Sequence, residues 1–176
     1  MTRSTKDLLL DAAEARIRSS GYNGFSFRDL AEDLGIKSAS VHYHFATKPD
    51  LVEGTVRRYT DTLLAALGDP REIVQRGDNP VVAFAKLYQA SYLQSKSMCL
   101  CGVLAAERQQ FSDKLKSAID AFFEENLAWL LRALDAMNFD GDRRKKAIQL
   151  LSLFEGAQLV RNATDENFAF EDLIDL

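Results

Sequence analysis

Three times within its first fifty residues the chain sets a serine or threonine three positions ahead of an aspartate: Ser4 with Asp7, Ser26 with Asp29, and Thr47 with Asp50. In that spacing the hydroxyl satisfies a free N–H of a helix's first turn and the carboxylate reaches back to the cap, so each pair marks a helix start. The first helix carries Leu10, Ala13 and Ile17 at helical spacing and has Gly21 at its end, where positive φ costs least. The second is barely two turns long, with Phe27, Leu30, Ala31 and Leu34 as its apolar stripe and Gly35 as its stop. Only a tight turn then separates Leu34 from a third helix beginning near Ser38, which points Val41 and Phe45 inward. Two short helices across a glycine-containing turn make a helix-turn-helix.

The third capping pair opens a longer helix from Lys48 to Leu67, with Pro49 in its first turn, where no intrahelical N–H is lost. The segment "GDPREIVQRGDNP" is dense in breakers and reads as a loop. Asn79 and Pro80 look like the cap and first residue of a helix to about Tyr92. A short helix follows over 102–109, then a long one over 112–137, broken by "NFDGD", and another over 143–161. With 3 Pro and 9 Gly among 176 residues, the expected fold is all-α. The expected organisation is a helix-turn-helix domain over 1–50 and a larger helical domain over 51–176.

Charge excludes a strongly basic protein: 22 Lys and Arg against 26 Asp and Glu give −4, although residues 1–59 carry a slight excess of positive charge. Any phosphate contacts must come from position rather than bulk charge. "LAWLLRAL" and similar apolar runs fall short of a membrane span, and "MTRSTKDLLLDAAEAR" is unlike a signal peptide, so a cytoplasmic location is expected. Cys99 and Cys101, one residue apart, fit a reducing compartment. G-x-S-x-G, P-loop, H-E-x-x-H and C-x-x-C motifs are all missing, which argues against an enzyme, and no cofactor is implied. His42 and His44 stand two apart, do not share a helix face and lack further ligands nearby, so no metal site is expected.

A helix-turn-helix reads DNA by laying its second helix in the major groove. "KSAS" suits that position: Lys37 attracts phosphate, Ser38 and Ser40 are small hydrogen-bonding groups, and Ala39 leaves room for close approach. One turn on, Tyr43 and His44 can each bond a phosphate oxygen, and Lys48 lies at the positive N-terminus of the next helix. Arg28 lies on the second helix's exposed face, as a phosphate contact or a solvated charge.

The stretch "FSFRDLAEDLGIKSASVHYHFATKPDL" resembles the DNA-binding motif of the TetR family of transcriptional regulators, closely so over Leu9 to Leu51, with Phe45 and Lys48 matching its aromatic/His–Phe–x–x–Lys signature. His42 departs from the tyrosine that the family more often has there. The resemblance implies a homodimer on operator DNA, most often a repressor, released when a small molecule binds the C-terminal domain. It also implies that the last long helices pair with their symmetry mates; Leu150, Phe154, Gly156, Ala157 and Arg161 are the candidate seam. Candidate effector-lining residues are the stripe Phe84, Tyr88 and Tyr92, together with Phe111, Phe122, Phe123 and Trp129. "SMCLCGVLAAE" resembles the start of the sixth helix in one branch of the family, with Cys99 at the matching position as a candidate sensor thiol. The competing readings are a helical protein-interaction module and a ligand-binding protein without sequence-specific DNA binding.

Overall fold

A computed structural model describes residues 3–175, and every regular element among them is helical. The α-helices are α1 (Thr5–Ser20), α2 (Phe27–Leu34), α3 (Ser38–His44), α4 (Lys48–Leu67), α5 (Pro70–Gln75), α6 (Pro80–Ser95), α7 (Leu100–Ala106), α8 (Asp113–Ala136) and α9 (Arg143–Ala163). Short 3₁₀ turns occur at Tyr22–Gly24, Arg108–Gln110 and Phe170–Leu173.

The caps form as their spacing requires. Ser4 accepts the Asp7 N–H, and at α2 the box is complete: Ser26 accepts from the Asp29 N–H while Asp29 accepts from the Ser26 N–H. Gly21 ends α1 at φ +73°, ψ −178°, a region open to glycine almost alone. Gly35 ends α2 in the left-handed conformation, and the Ile36 N–H returns to the Ala31 carbonyl.

The breaker-rich stretch expected as a loop holds α5 instead. Its breakers are helix punctuation: Gly68 (φ +68°) follows α4, Asp69 caps α5 through the Arg71 N–H, and Pro70 takes the first helical position. Gly77 (φ +84°) then follows α5, and Asn79 caps α6 ahead of Pro80. The short helix expected over 102–109 starts earlier, as α7 with the 3₁₀ turn after it.

The residues fall into two compact units, 1–60 with 100–122, and 61–99 with 123–176. In the first, Leu9, Ala13, Ile17, Leu30, Val41, Leu51, Val56, Leu100, Leu104, Leu115 and Ile119 form a core sealed from solvent. The second is centred on aromatic rings: Phe84 stacks on Tyr88 at 4.7 Å and approaches Trp129 and Phe154 at 5.5 and 5.6 Å. The Trp129 indole N–H donates to the Gly68 carbonyl at 2.8 Å, fixing the end of α4 within this unit.

Candidate nucleic-acid interface

The frame of the first unit is set by ion pairs between helices. Arg16 on α1 grips Asp33 on α2 with two bonds of 2.6 and 2.8 Å, and Arg58 on α4 reaches the Asp7 carbonyl and the Asp11 carboxylate on α1. The Arg16 bond holds the Asp33 carboxyl below the usual carboxylate range. The Ser26 hydroxyl does the same for Asp29, and the Thr47 hydroxyl, then Lys114, for Asp50.

On this frame α3 buries Val41 on one side, followed by Phe45, and turns its polar residues outward. Lys37, Ser38, Ala39 and His42 are exposed, Ser40 and His44 are half-buried, and Tyr43 stands 86% exposed. An exposed tyrosine of that degree, with its ring edge-on to His44 at 5.1 Å, leaves a phenol free for a partner. Thr5, Ile36, Lys37, Ala39, Ser40, Tyr43 and His44 line a surface depression of about 360 Å³. Thr5 was not among the residues the sequence singles out, since nothing local signals that the start of α1 lies beside α3.

Other candidates find partners within the chain. His42 packs edge-on against Phe27 at 4.9 Å, and Arg28 pairs with Glu32 across one helical turn at 3.0 Å. Lys48 is engaged internally: its ammonium donates to the Phe25 carbonyl and lies 4.2 and 4.6 Å from the ring centroids of Phe25 and Tyr22. Burial pushes it below the usual lysine range, against the pull of Asp29 and Glu107. The same corner is braced from behind. The Tyr22 N–H donates to Glu107 at 3.1 Å, Asn23 to Gln110 at 2.9 Å, and the Tyr22 ring meets Phe111 at 4.8 Å.

The effector candidates are divided between the units. Phe111 and Phe122 are core residues of the first, Phe122 beside Tyr59 at 5.7 Å. Phe84, Tyr88, Tyr92, Phe123 and Trp129 belong to the second, where Phe84, Tyr88 and Trp129 are closed to solvent. Cys99 and Cys101 are both fully buried thiols. Of the seam candidates on α9, Leu150, Phe154 and Ala157 are covered by the chain itself, and the Arg161 guanidinium lies among Tyr92, Phe168 and Phe170. Gly156 faces open space. The face of α9 left to solvent carries Ile148, Leu159 and Val160, at 45%, 52% and 46% exposure. Among the described residues no three His, Cys, Asp or Glu side chains are grouped to hold a metal ion, and no helix is long and apolar enough to cross a membrane.

Residues 9–55 match the family of bacterial regulatory proteins described as tetR. The chain is 34% identical over 89 residues to the transcriptional repressor KstR2 of Mycobacterium tuberculosis, covering 51% of this chain and 43% of that protein. It is 36% identical over 58 residues to IcaR, a negative regulator of the biofilm operon icaADBC in Staphylococcus aureus, covering 33% of this chain and 31% of that one. The match therefore spans less than half the length of these curated relatives. Over nearly its whole length it resembles the crystal structure of a TetR transcriptional regulator from Legionella pneumophila, with a TM-score of 0.83, 30% identity, and coverage of 98% of this chain and 94% of that one.

Proposed function

Because this chain belongs to the tetR family of bacterial regulatory proteins, we propose that it is a cytoplasmic, homodimeric repressor that a small molecule releases from operator DNA. The observation that carries the reading is the outer face of α3, where Lys37, Ser38, Ala39, Ser40, Tyr43 and His44 are turned away from a helix whose Val41 is fully buried. Ala39 and the serines are small enough to let the helix approach base edges, while Tyr43, His44 and Lys37 reach phosphates. Thr5 joins them at the positive end of α1. Lys48 serves the same interface from behind, tying the start of α4 to the Phe25 carbonyl so that α3 is presented at a fixed angle. Arg28 and His42 flank the face.

One helix-turn-helix contacts few base pairs, so a symmetric pair on two half-sites is the economical arrangement. The apolar surface best suited to hold two copies together is the exposed α9 face of Ile148, Leu159 and Val160, with Gly156 on the same helix allowing close approach. The aromatic second unit supplies the effector site. A ligand favouring the DNA-incompetent state by about 1 to 3 kcal/mol weakens operator binding about 5- to 150-fold.

Fluorescence anisotropy on DNA from immediately upstream of the chain's own gene, over a salt series, tests this reading. Tight binding to one palindromic segment, falling steeply with salt, is expected. Binding insensitive both to DNA and to salt favours the protein-interaction module and refutes the regulator reading.

A further inference from the structure

Beyond α9 the chain folds back across α6 and α9 of the second unit as a strap ending in the 3₁₀ turn Phe170–Leu173. Its anchor is Phe170, fully buried, while Leu173 remains 38% exposed. The strap is held by few polar bonds: the Phe170 N–H donates to Gln89 at 2.7 Å, Lys86 lies 3.9 Å from Glu171, and Lys146 donates to the Asp175 carbonyl.

Beneath it the Arg161 guanidinium lies 5.7 to 5.9 Å from the ring centroids of Tyr92, Phe168 and Phe170. Nη2 donates to Asn167 on the strap, but Nη1 is buried with no hydrogen-bond partner. One turn back on α9, Gln158 is 1% exposed; its Nε2 donates to the Tyr88 carbonyl and its Oε1 is buried without a partner. A buried arginine N–H and a buried amide oxygen, each unsatisfied, are costly to retain, and such groups call for a specific explanation.

We propose that this is a binding site for small aromatic carboxylates, and that Phe170 is its built-in occupant. The Phe170 ring already fills the apolar half of the site. What the strap does not supply is an acceptor for Arg161 Nη1 or a donor for Gln158 Oε1. When the strap lifts, Asn167 releases Nη2, and a carboxylate meets both guanidinium nitrogens in the bidentate geometry that arginine favours. The ligand's ring takes the place of the Phe170 ring beside Tyr92. A hydroxyl on that ring supplies the donor that Gln158 Oε1 lacks, so a hydroxylated aromatic acid suits the site better than its parent acid. The seated strap competes with the ligand, so the apparent affinity is the intrinsic one reduced by the fraction of molecules with the strap open. This names a ligand class for the second unit and rests on the effector reading only for its consequence on DNA.

Calorimetric titration of the full chain with 4-hydroxybenzoate, benzoate and the neutral benzamide tests the site. The wild type binds 4-hydroxybenzoate more tightly than benzoate and does not bind benzamide. Phe170→Ala removes the occupant and Gln89→Ala loosens the strap; if the strap is seated nine-tenths of the time, full release gives about tenfold tighter binding. Arg161→Met abolishes it. Should Phe170→Ala fail to fold, Gln89→Ala carries the test, because it leaves the buried ring in place. Benzamide binding as well as benzoate, Arg161→Met binding as the wild type does, or no binding of either acid to the wild type and Gln89→Ala overturns the proposal. Operator anisotropy with bound 4-hydroxybenzoate is a separate measurement. Binding of the acid without a change in DNA affinity leaves the site standing and removes the effector reading instead.

Discussion

Replacing Lys48 by methionine keeps the apolar stem and deletes the ammonium that bonds the Phe25 carbonyl and rests on two rings. A hydrogen bond from a charged donor is worth about 1.5 to 3 kcal/mol, and each cation–π contact about 0.5 to 1 at partly exposed sites. Against this stands the burial that already disfavours the charge on Lys48. A net loss of about 2 kcal/mol is therefore expected, equivalent in a domain of this size to about 4 to 8 °C in melting temperature. The consequence for DNA is of a different kind. If Lys48 fixes the corner between Phe25 and α4 rather than touching phosphate, Lys48→Met lowers affinity while the slope of log K against log salt stays at the wild-type value. Lys37→Ala, by contrast, flattens that slope by about one phosphate contact and leaves the melting temperature unchanged. Differential scanning fluorimetry and anisotropy between about 50 and 200 mM salt separate the two effects. An unchanged melting temperature for Lys48→Met, with a slope reduced by about one, would refute the reasoning and make Lys48 a phosphate ligand.

Leu159→Glu places a charge on the exposed apolar face of α9 without touching the core, so it is expected to give a folded monomer with lost operator affinity; sedimentation showing an intact dimer would move the seam elsewhere. Gly21→Ala is expected to cost about 1 to 3 kcal/mol from backbone strain alone. The added Cβ would also fall 2.4 Å from Glu107 Oε1, breaking the brace to Tyr22, and a urea midpoint equal to the wild type would argue that the turn relaxes freely. Asp29, Asp33 and Asp50 have folded-state pKa values held below the ordinary carboxylate range, by Ser26, Arg16 and Thr47 respectively. Their stabilisation is fully present above the unfolded carboxylate value near 4 and disappears as pH falls through the lower folded values. The urea midpoint should therefore hold between pH 7 and pH 5 and fall below about 4, less steeply in Asp29→Asn; an equal fall in that variant would assign the loss to other groups.

The first two helices were legible because each carries its own start and stop. Ser26 and Asp29 face each other across one turn, and Gly35 is needed for one backbone conformation, so neither requires knowledge of the rest of the chain. The same local logic misled at "GDPREIVQRGDNP". Gly68, Asp69 and Pro70 punctuate helices as readily as they form loops, and α5 is too short to show a period of its own. Nothing in the pattern of residues 100–122 signals that they pack with the N-terminal helices, because the contacts that put them there join Glu107 to Tyr22 and Gln110 to Asn23 over more than eighty positions.

Sequence patterning set the polar residues on the outer side of α3 but did not foresee which of the candidates find partners within the chain. Spacing says that a residue can reach a face; it does not say whether a nearer partner takes it first. Tyr43 lies edge-on to His44 and stays exposed, whereas Lys48, at the start of α4, finds the Phe25 carbonyl and two rings. The α9 candidates show the same competition. Leu150, Phe154 and Ala157 form a proper helical stripe, but an apolar stripe is drawn first to the chain's own core, and the apolar side chains of α9 left exposed are Ile148, Leu159 and Val160. Arg161 is the clearest case. Its charge and position on α9 made it a candidate for an interface between copies, yet three aromatic rings within the same unit surround it and still leave Nη1 unsatisfied. A cation enclosed by rings and short of one acceptor is better suited to an aromatic anion than to a helix–helix seam, because the rings supply the apolar contact and the guanidinium the charge.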